Sequence, residues 1–260
     1  MPSPQLPDTL QPKSLAGRRA LVTGAAKRIG RGIAVALARA GADVAITYNR
    51  SATEALETVA ALRGFNVRAE AFACDLHDPQ AIRATVQQAG EWAAAEGAPA
   101  LDVLINNAGA FETAALEEVT PEQWDSMFRT NTRAPLLVAQ AALPFLRASQ
   151  GGGRIVNIGS LGGLHPWATH AHYCASKAAL HMLTQTMAKS WAPRVAVNCV
   201  APGMIATGDE ASEGYAHFIE KTPMGRNGRV EDVAEVVLFL AAATTFLTGQ
   251  VIAVDGGLGL

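Results

Sequence analysis

Along most of this chain, short apolar runs ending in glycine or asparagine alternate with longer segments whose apolar residues recur at helical spacing. Arg19 to Thr23 (RALVT) is one such run; it breaks at Gly24, and IGRGIAVALARAG follows and stops at Gly41. Strand, glycine turn and helix are predicted there. Asp43 to Tyr48 predicts the next strand, Ala52 to Arg63 a helix ending at Gly64, and Val67 to Ala73 an alternating strand. Pro79 to Glu96 then predicts a helix and Leu101 to Ile105 a strand. Thr120-Pro121-Glu122-Gln123 opens a helix with an N-cap, a proline in the first turn and a capping-box glutamine. Arg154 to Ile158, Val195 to Val200 and Gln250 to Val254 predict the remaining strands, with helices over His172 to Trp191 and Glu231 to Ala243. Seven strands separated by helices, several of them almost wholly apolar, imply a parallel sheet covered by helices on both faces. Right-handed crossovers make this an α/β doubly wound fold. With no short repeat and no linker, one domain over residues 15–260 is expected, preceded by a flexible, proline-rich extension over residues 1–14.

Composition narrows the function classes. The chain has 260 residues, is 49% hydrophobic and carries a formal charge of −2, enough for one large core and without the basic run a nucleic-acid partner would need. Cys74, Cys174 and Cys199 are widely spaced and odd in number, which suits a reducing compartment rather than a disulfide framework or a metal site. The first residues lack the apolar core of a signal peptide, and apolar stretches are interrupted well before the length of a membrane span. A soluble, cytoplasmic protein with a small-molecule substrate is expected, with neither nucleic acid nor membrane as partner.

Candidate chemistry falls at the carboxyl ends of the predicted strands. The first turn, Thr23-Gly24-Ala25-Ala26-Lys27-Arg28-Ile29-Gly30-Arg31-Gly32, precedes a helix N-terminus whose free N–H groups attract a pyrophosphate, although a strict G-x-G-x-x-G is absent. Asn106-Asn107-Ala108-Gly109 follows the fourth strand, Ser160 the fifth, and Pro202-Gly203-Met204-Ile205-Ala206-Thr207 the sixth, so one crevice can gather them. Tyr173 and Lys177, four residues apart on a predicted helix, project from one face. A lysine ammonium near a phenol favours the phenolate, lowering the tyrosine pKa toward the range of a general acid or base, and Ser160 can donate to a substrate oxygen nearby.

Taken together, the TG-rich turn, NNAG, Asn131, Ser160, the YxxxK of Tyr173 and Lys177, the PG-x-x-x-T and the terminal VDGG resemble the short-chain dehydrogenase/reductase family from about Leu15 to Leu260. The resemblance implies a Rossmann fold and a nicotinamide cofactor. It further implies that Tyr173 exchanges a proton with the substrate oxygen, that Lys177 lowers the tyrosine pKa and holds the nicotinamide ribose, and that Ser160 orients the carbonyl. Asn131 would hold a water joining the lysine to a proton relay. Pro135, lacking an N–H, leaves the Asn131 carbonyl free for that water. Asp75 and Leu76 after the third strand resemble the adenine contact, while Thr207 and the Ile205 backbone resemble the nicotinamide carboxamide contact. The second strand ends in Tyr48-Asn49-Arg50-Ser51 where an NADH enzyme would place a carboxylate, and Arg28 adds a second guanidinium in the glycine turn. Two arginines with Asn49 and Ser51 suit a 2′-phosphate, so NADPH/NADP+ is the expected cofactor.

TGAAKRIG with YNRSATEA also resembles the pteridine-reductase branch, in which Phe111 matches an aromatic residue that stacks on the pterin. Those reductases commonly carry aspartate where this chain has Ser160, and serine suits carbonyl chemistry. Reduction of a ketone or a 3-oxoacyl thioester is therefore expected, with a pteridine or dihydrofolate reductase as the alternative. A catalytically silent dinucleotide-binding sensor is the alternative of another class, against which Asn131, Ser160, Tyr173 and Lys177 all argue. His165, His170 and His172 lack a carboxylate or cysteine to complete a metal site, so none is expected. Gly208 to Gly225, containing Tyr215, His217 and Phe218, is expected to form a mobile lid. A homotetramer or dimer is implied by the resemblance, with the terminal LGL buried between subunits.

Overall fold

The computed structural model describes residues 15–94, 100–207, 213–242 and 246–260. The seven strands of its main sheet are β1 (Arg19–Val22), β2 (Asp43–Tyr48), β3 (Ala69–Ala73), β4 (Val103–Asn106), β5 (Gly153–Ile158), β6 (Val195–Pro202) and β9 (Val251–Val254). They lie in the order β3-β2-β1-β4-β5-β6-β9, every pair parallel. The order reverses between β1 and β4, which opens a crevice beyond their carboxyl ends. Both faces are covered because the apolar strands project side chains in both directions. One face packs Leu21, Leu104, Ile155 and Val197 against α3 (Pro79–Trp92), α5 (Ala134–Ala148) and α6 (Ala171–Trp191). The other packs Val22, Ile46, Ile105 and Val200 against α1 (Arg28–Arg39), α2 (Ala52–Arg63) and α8 (Val230–Ala242).

The capping box foreseen at Thr120 opens α4 (Pro121–Phe128). Its hydroxyl accepts from Gln123 N at 3.3 Å, and Gln123 Oε1 accepts from Thr120 N at 3.0 Å. A π turn over Arg129–Arg133 joins α4 to α5. Pro135 lacks the N–H that an α-helical turn would require, so a widened turn just ahead of it has a local cause.

Several expectations need adjustment. The helix foreseen to Glu96 ends at Trp92, and Glu96 lies outside the described residues. The fourth strand starts at Val103 rather than Leu101 and runs one residue further. A second sheet pairs β7 (Ile205–Ala206) with β8 (Gly228–Arg229), two elements too short to leave a periodic signal. The expected lid contains helix α7 (Glu213–Lys221). Residues 208–212 and the Tyr215 side chain fall outside the described residues, as does the expected extension over 1–14.

Candidate active site

The site lies at the carboxyl edge of the sheet, where strand-end loops meet the N-terminal turns of α1 and α6. The glycine turn is held by close packing and by hydrogen bonds to the neighbouring strand ends. Gly24 has φ 62°, and a Cβ there would lie 2.9 Å from Ala108 Cα. Asn107 bridges the two loops by donating from Nδ2 to Thr23 O at 2.9 Å and Gly24 O at 3.0 Å. Thr23 Oγ1 in turn accepts from Asn107 N at 3.0 Å and Ala108 N at 3.1 Å. Arg28 has φ 55°, in the left-handed region that favours glycine. Holding a side chain there costs on the order of 1 kcal/mol, which its position at the mouth of the turn can offset through ligand contacts.

The cleft is lined by Gly24, Arg28, Ile29 and Gly30 from the first turn; Asn107, Ala108, Gly109 and Phe111 after β4; Ser160, Tyr173 and Lys177; and Pro202, Gly203, Ile205 and Thr207 after β6. Asn49, Arg50 and Ser51 lie at the end of β2, and Asp75 and Leu76 at the end of β3, outside that lining but on the same sheet edge. Ser51 begins α2 without its hydroxyl capping the helix, and Asp75 Oδ1 accepts from His77 N at 2.9 Å. The residues fit a dinucleotide. Lys27, the N-cap of α1, makes no side-chain cap and the first turn holds no acidic residue, so the positive end of the helix dipole faces the cleft uncompensated by the chain.

Tyr173 and Lys177 share a face of α6, but they interact differently from the expectation. Lys177 is buried, its Nζ donates to Ile158 O at 2.8 Å, and it stands 5.9 Å from the centre of the Tyr173 ring. Burial pushes the Tyr173 phenol above its ordinary value, while the nearby Ser160 hydroxyl opposes that rise. Burial is the leading cause at the phenol, so the net shift is upward rather than the depression expected from Lys177. Lys177 itself is pushed down to about 8, chiefly by burial. Ser160 Oγ accepts from Gly162 N at 3.1 Å at the start of a 3-10 turn over Leu161–Gly163.

Asn131 is wholly buried behind Gly109 and Ala110, on the π turn. Its Oδ1 accepts from Ala110 N at 2.8 Å, and its Nδ2 donates to Ala110 O at 2.9 Å and to Ser176 Oγ at 3.0 Å. A Cβ at Gly109 would lie 3.3 Å from Asn131 Oδ1 and 3.4 Å from Lys177 Nζ, so all three converge. The amide side chain therefore clamps the NNAG loop to α6, a role sequence spacing did not reveal. Ser176 was missed as well; it sits one turn beyond Tyr173 and donates to the Tyr173 carbonyl at 2.7 Å.

His181 was missed for a similar reason. It follows Lys177 by one helical turn and packs beneath the Ser160 loop, where a Cβ at Gly159 would overlap it. Ser160 N donates to its Nε2 at 3.4 Å, so the proton belongs on Nδ1. Burial first, then the Lys177 charge, pushes His181 down to about 4 and keeps it neutral. Of the histidines considered for a metal, His170 pairs with Thr113 and Thr169, each at 3.0 Å, and His172 lies buried 3.9 Å from Glu112 Oε2.

A doubly wound sheet with a glycine turn, a buried lysine and a phenol at its switch point defines a dinucleotide-dependent oxidoreductase site. The chain belongs to the short-chain dehydrogenase/reductase family: the family model described as enoyl-(acyl carrier protein) reductase matches residues 24–259. It is 39% identical over 251 residues to an uncharacterized oxidoreductase of Methylorubrum extorquens, covering 94% of this chain and 98% of that one. It is 37% identical over 261 residues to the 3-oxoacyl-[acyl-carrier-protein] reductase of rhamnolipid biosynthesis from Pseudomonas aeruginosa, with 95% and 98% covered. A short-chain dehydrogenase from Burkholderia cenocepacia, crystallised with NADP, superposes with a TM-score of 0.85 at 38% identity, covering 95% of this chain and 99% of that one. No resemblance specific to pteridine reductases emerges from these relatives.

Proposed function

We propose that this protein is an NADPH-dependent reductase of carbonyl groups in which Tyr173 is the general acid. The observation that carries this reading is the gathering of Ser160, Tyr173 and Lys177 on the same cleft as the glycine turn. When bound, the nicotinamide supplies the hydride to the carbonyl carbon. Ser160 orients the carbonyl oxygen, and the phenol, kept protonated at neutral pH by its burial, delivers a proton to that oxygen as charge develops on it. Lys177 holds the nicotinamide ribose, and its ammonium stabilises the phenolate left behind. Asn131 keeps the Gly109 loop and α6 in register, and its backbone carbonyl is proposed to hold the relay water.

NADPH is favoured over NADH by Arg28, Arg50 and Ser51 together, with no carboxylate at the end of β2. The NADP held by the Burkholderia relative supports the same choice. Asp75, Leu76, Ile205 and Thr207 are proposed to make the adenine and carboxamide contacts. A dimer or tetramer with the terminal LGL between subunits is proposed from the family resemblance, in keeping with the exposed Leu260, and sedimentation would test it.

Tyr173→Phe is expected to abolish NADPH oxidation with any accepted ketone while NADPH binding, followed by fluorescence, persists. Unchanged turnover would refute the mechanism. Strong turnover of biopterin or dihydrofolate with none of ketones would favour the pterin alternative, and tighter binding of NADH would refute the cofactor assignment.

A further inference from the structure

Four rings close a circuit beside the phenol. Phe111 meets Tyr173 edge-on at 4.8 Å and stacks on His170 at 4.7 Å, while Trp167 stacks on Tyr173 at 6.0 Å and meets His170 edge-on at 5.8 Å. At these separations nothing fits between the rings, so the group is a wall rather than a cage. The wall is fixed in advance. His170 is held on one ring nitrogen by Thr113 and on the other by Thr169, and Ala114 N donates to Thr169 O at 3.0 Å, tying the Phe111 loop to the Trp167 loop. Phe111, Trp167 and Tyr173 all line the cleft, and Phe111 is still 60% exposed. A large apolar ring left half in water beside a reacting group gains most from a ligand that covers it.

Charge is distributed unevenly along the same cleft. Among the described residues lining it, the cations are Lys27 and Arg28 in the glycine turn and the buried Lys177, while Ile158 and Met204 add apolar surface to the same lining. The segments bearing the wall, residues 107–128 and 159–176, contain no lysine or arginine. The first carries Glu112, Glu117, Glu118, Glu122 and Asp125, and Leu116 to Trp124 border a surface groove with Ala171 at the start of α6. Exposed carboxylates on the segment that carries Phe111, whose first cation after the wall is Arg129, oppose an anionic substrate arm on that side. Coenzyme A and phosphopantetheine thioesters both bear phosphate, so both meet that opposition.

Resting on the carbonyl-reductase reading, we infer that the substrate is a small uncharged ketone bearing a planar ring, taken free from solution rather than on a phosphate-bearing carrier. The ring lies along the Phe111 and Trp167 wall while its carbonyl meets Tyr173 and Ser160. Hydride goes to the carbonyl carbon, the phenol proton to the oxygen, and NADPH leaves as NADP+, so the step balances as a two-electron reduction.

The test measures NADPH oxidation by the full chain with an aryl ketone, butane-2,3-dione, acetoacetyl coenzyme A and the phosphate-free N-acetylcysteamine thioester of acetoacetate. The aryl ketone is expected to exceed acetoacetyl coenzyme A at least tenfold in kcat/KM, and the phosphate-free thioester to exceed its coenzyme A counterpart. Phe111→Leu, which keeps an apolar side chain without the ring, is expected to raise KM for the aryl ketone about tenfold, or about 1.4 kcal/mol. KM for butane-2,3-dione should stay within about twofold, on the order of the scatter left when no ring contact is lost. Acetoacetyl coenzyme A as the best substrate, or equal KM changes for both ketones in Phe111→Leu, would overturn the inference and leave the reductase reading standing. NADPH binding with no turnover of any carbonyl would overturn both.

Discussion

Lys177 is held at a disadvantage by the fold, and replacing it with methionine exposes the size of that disadvantage. Its pKa falls from an ordinary 10.5 to about 8, with burial as the leading cause. An unfolded chain therefore binds the lysine proton more readily than the folded one. At neutral pH the difference disfavours folding by about 3 kcal/mol. The sign follows from linkage: the folded state is at its best above the unfolded pKa, loses stability as pH falls from 10.5 toward 8, and is level below that. Lys177→Met removes this dependence but leaves the Ile158 carbonyl without the donor now at 2.8 Å, a loss of about 1–3 kcal/mol. The variant should thus equal or exceed the wild type in stability at pH 7 by up to about 2 kcal/mol, after subtracting that loss, while losing catalytic activity. Urea unfolding of both proteins without cofactor across this range measures the difference directly. Wild type should lose about 3 kcal/mol relative to the variant as the pH is lowered through the window. A difference that does not vary with pH, or a wild type that gains on the variant as pH falls, would refute the argument.

Other positions give independent tests. Thr120→Ala removes the hydroxyl that caps α4 and should destabilise the protein by about 1 kcal/mol in urea melts, with turnover unchanged. Gly159→Ala places a methyl group against His181 and 2.7 Å from Cys199 Sγ, and should destabilise by about 1–3 kcal/mol. Adding His181→Ala should recover part of that loss, so a double-mutant cycle that is strictly additive would refute the clash. Arg28→Ala should weaken NADPH binding about tenfold and NADH binding little, if its guanidinium meets the 2′-phosphate; equal weakening of both, in fluorescence titrations, counts against that contact.

The fold was legible because its elements announce themselves locally. Alternating apolar runs and helical periodicity mark β1 to β6, and Thr120 with Gln123 form the capping box their spacing foretold. The strand-end motifs were legible too, since a doubly wound topology brings successive carboxyl ends to one edge whatever the loops do. Periodicity failed for β7 and β8, whose two-residue pairing has no room for a pattern, and for α7, where a polar segment forms a helix.

Chemical environment was not legible. Spacing placed Tyr173 and Lys177 on one helical face, yet only the packing of β5 against α6 decides that the lysine donates to Ile158 and that burial dominates the phenol. The family resemblance raised Asn131 for its backbone carbonyl; only the structure shows that its side-chain amide spans Ala110 and Ser176. Ser176 and His181 carried no signal of their own, because their partners lie on distant loops. Sequence alone determines the order of elements and the residues each offers, since propensity and periodicity act over a few residues. Protonation, hydrogen-bond partners and the aromatic wall depend on desolvation and contact between segments far apart in the chain, and those exist only once the sheet and its helices have closed around them.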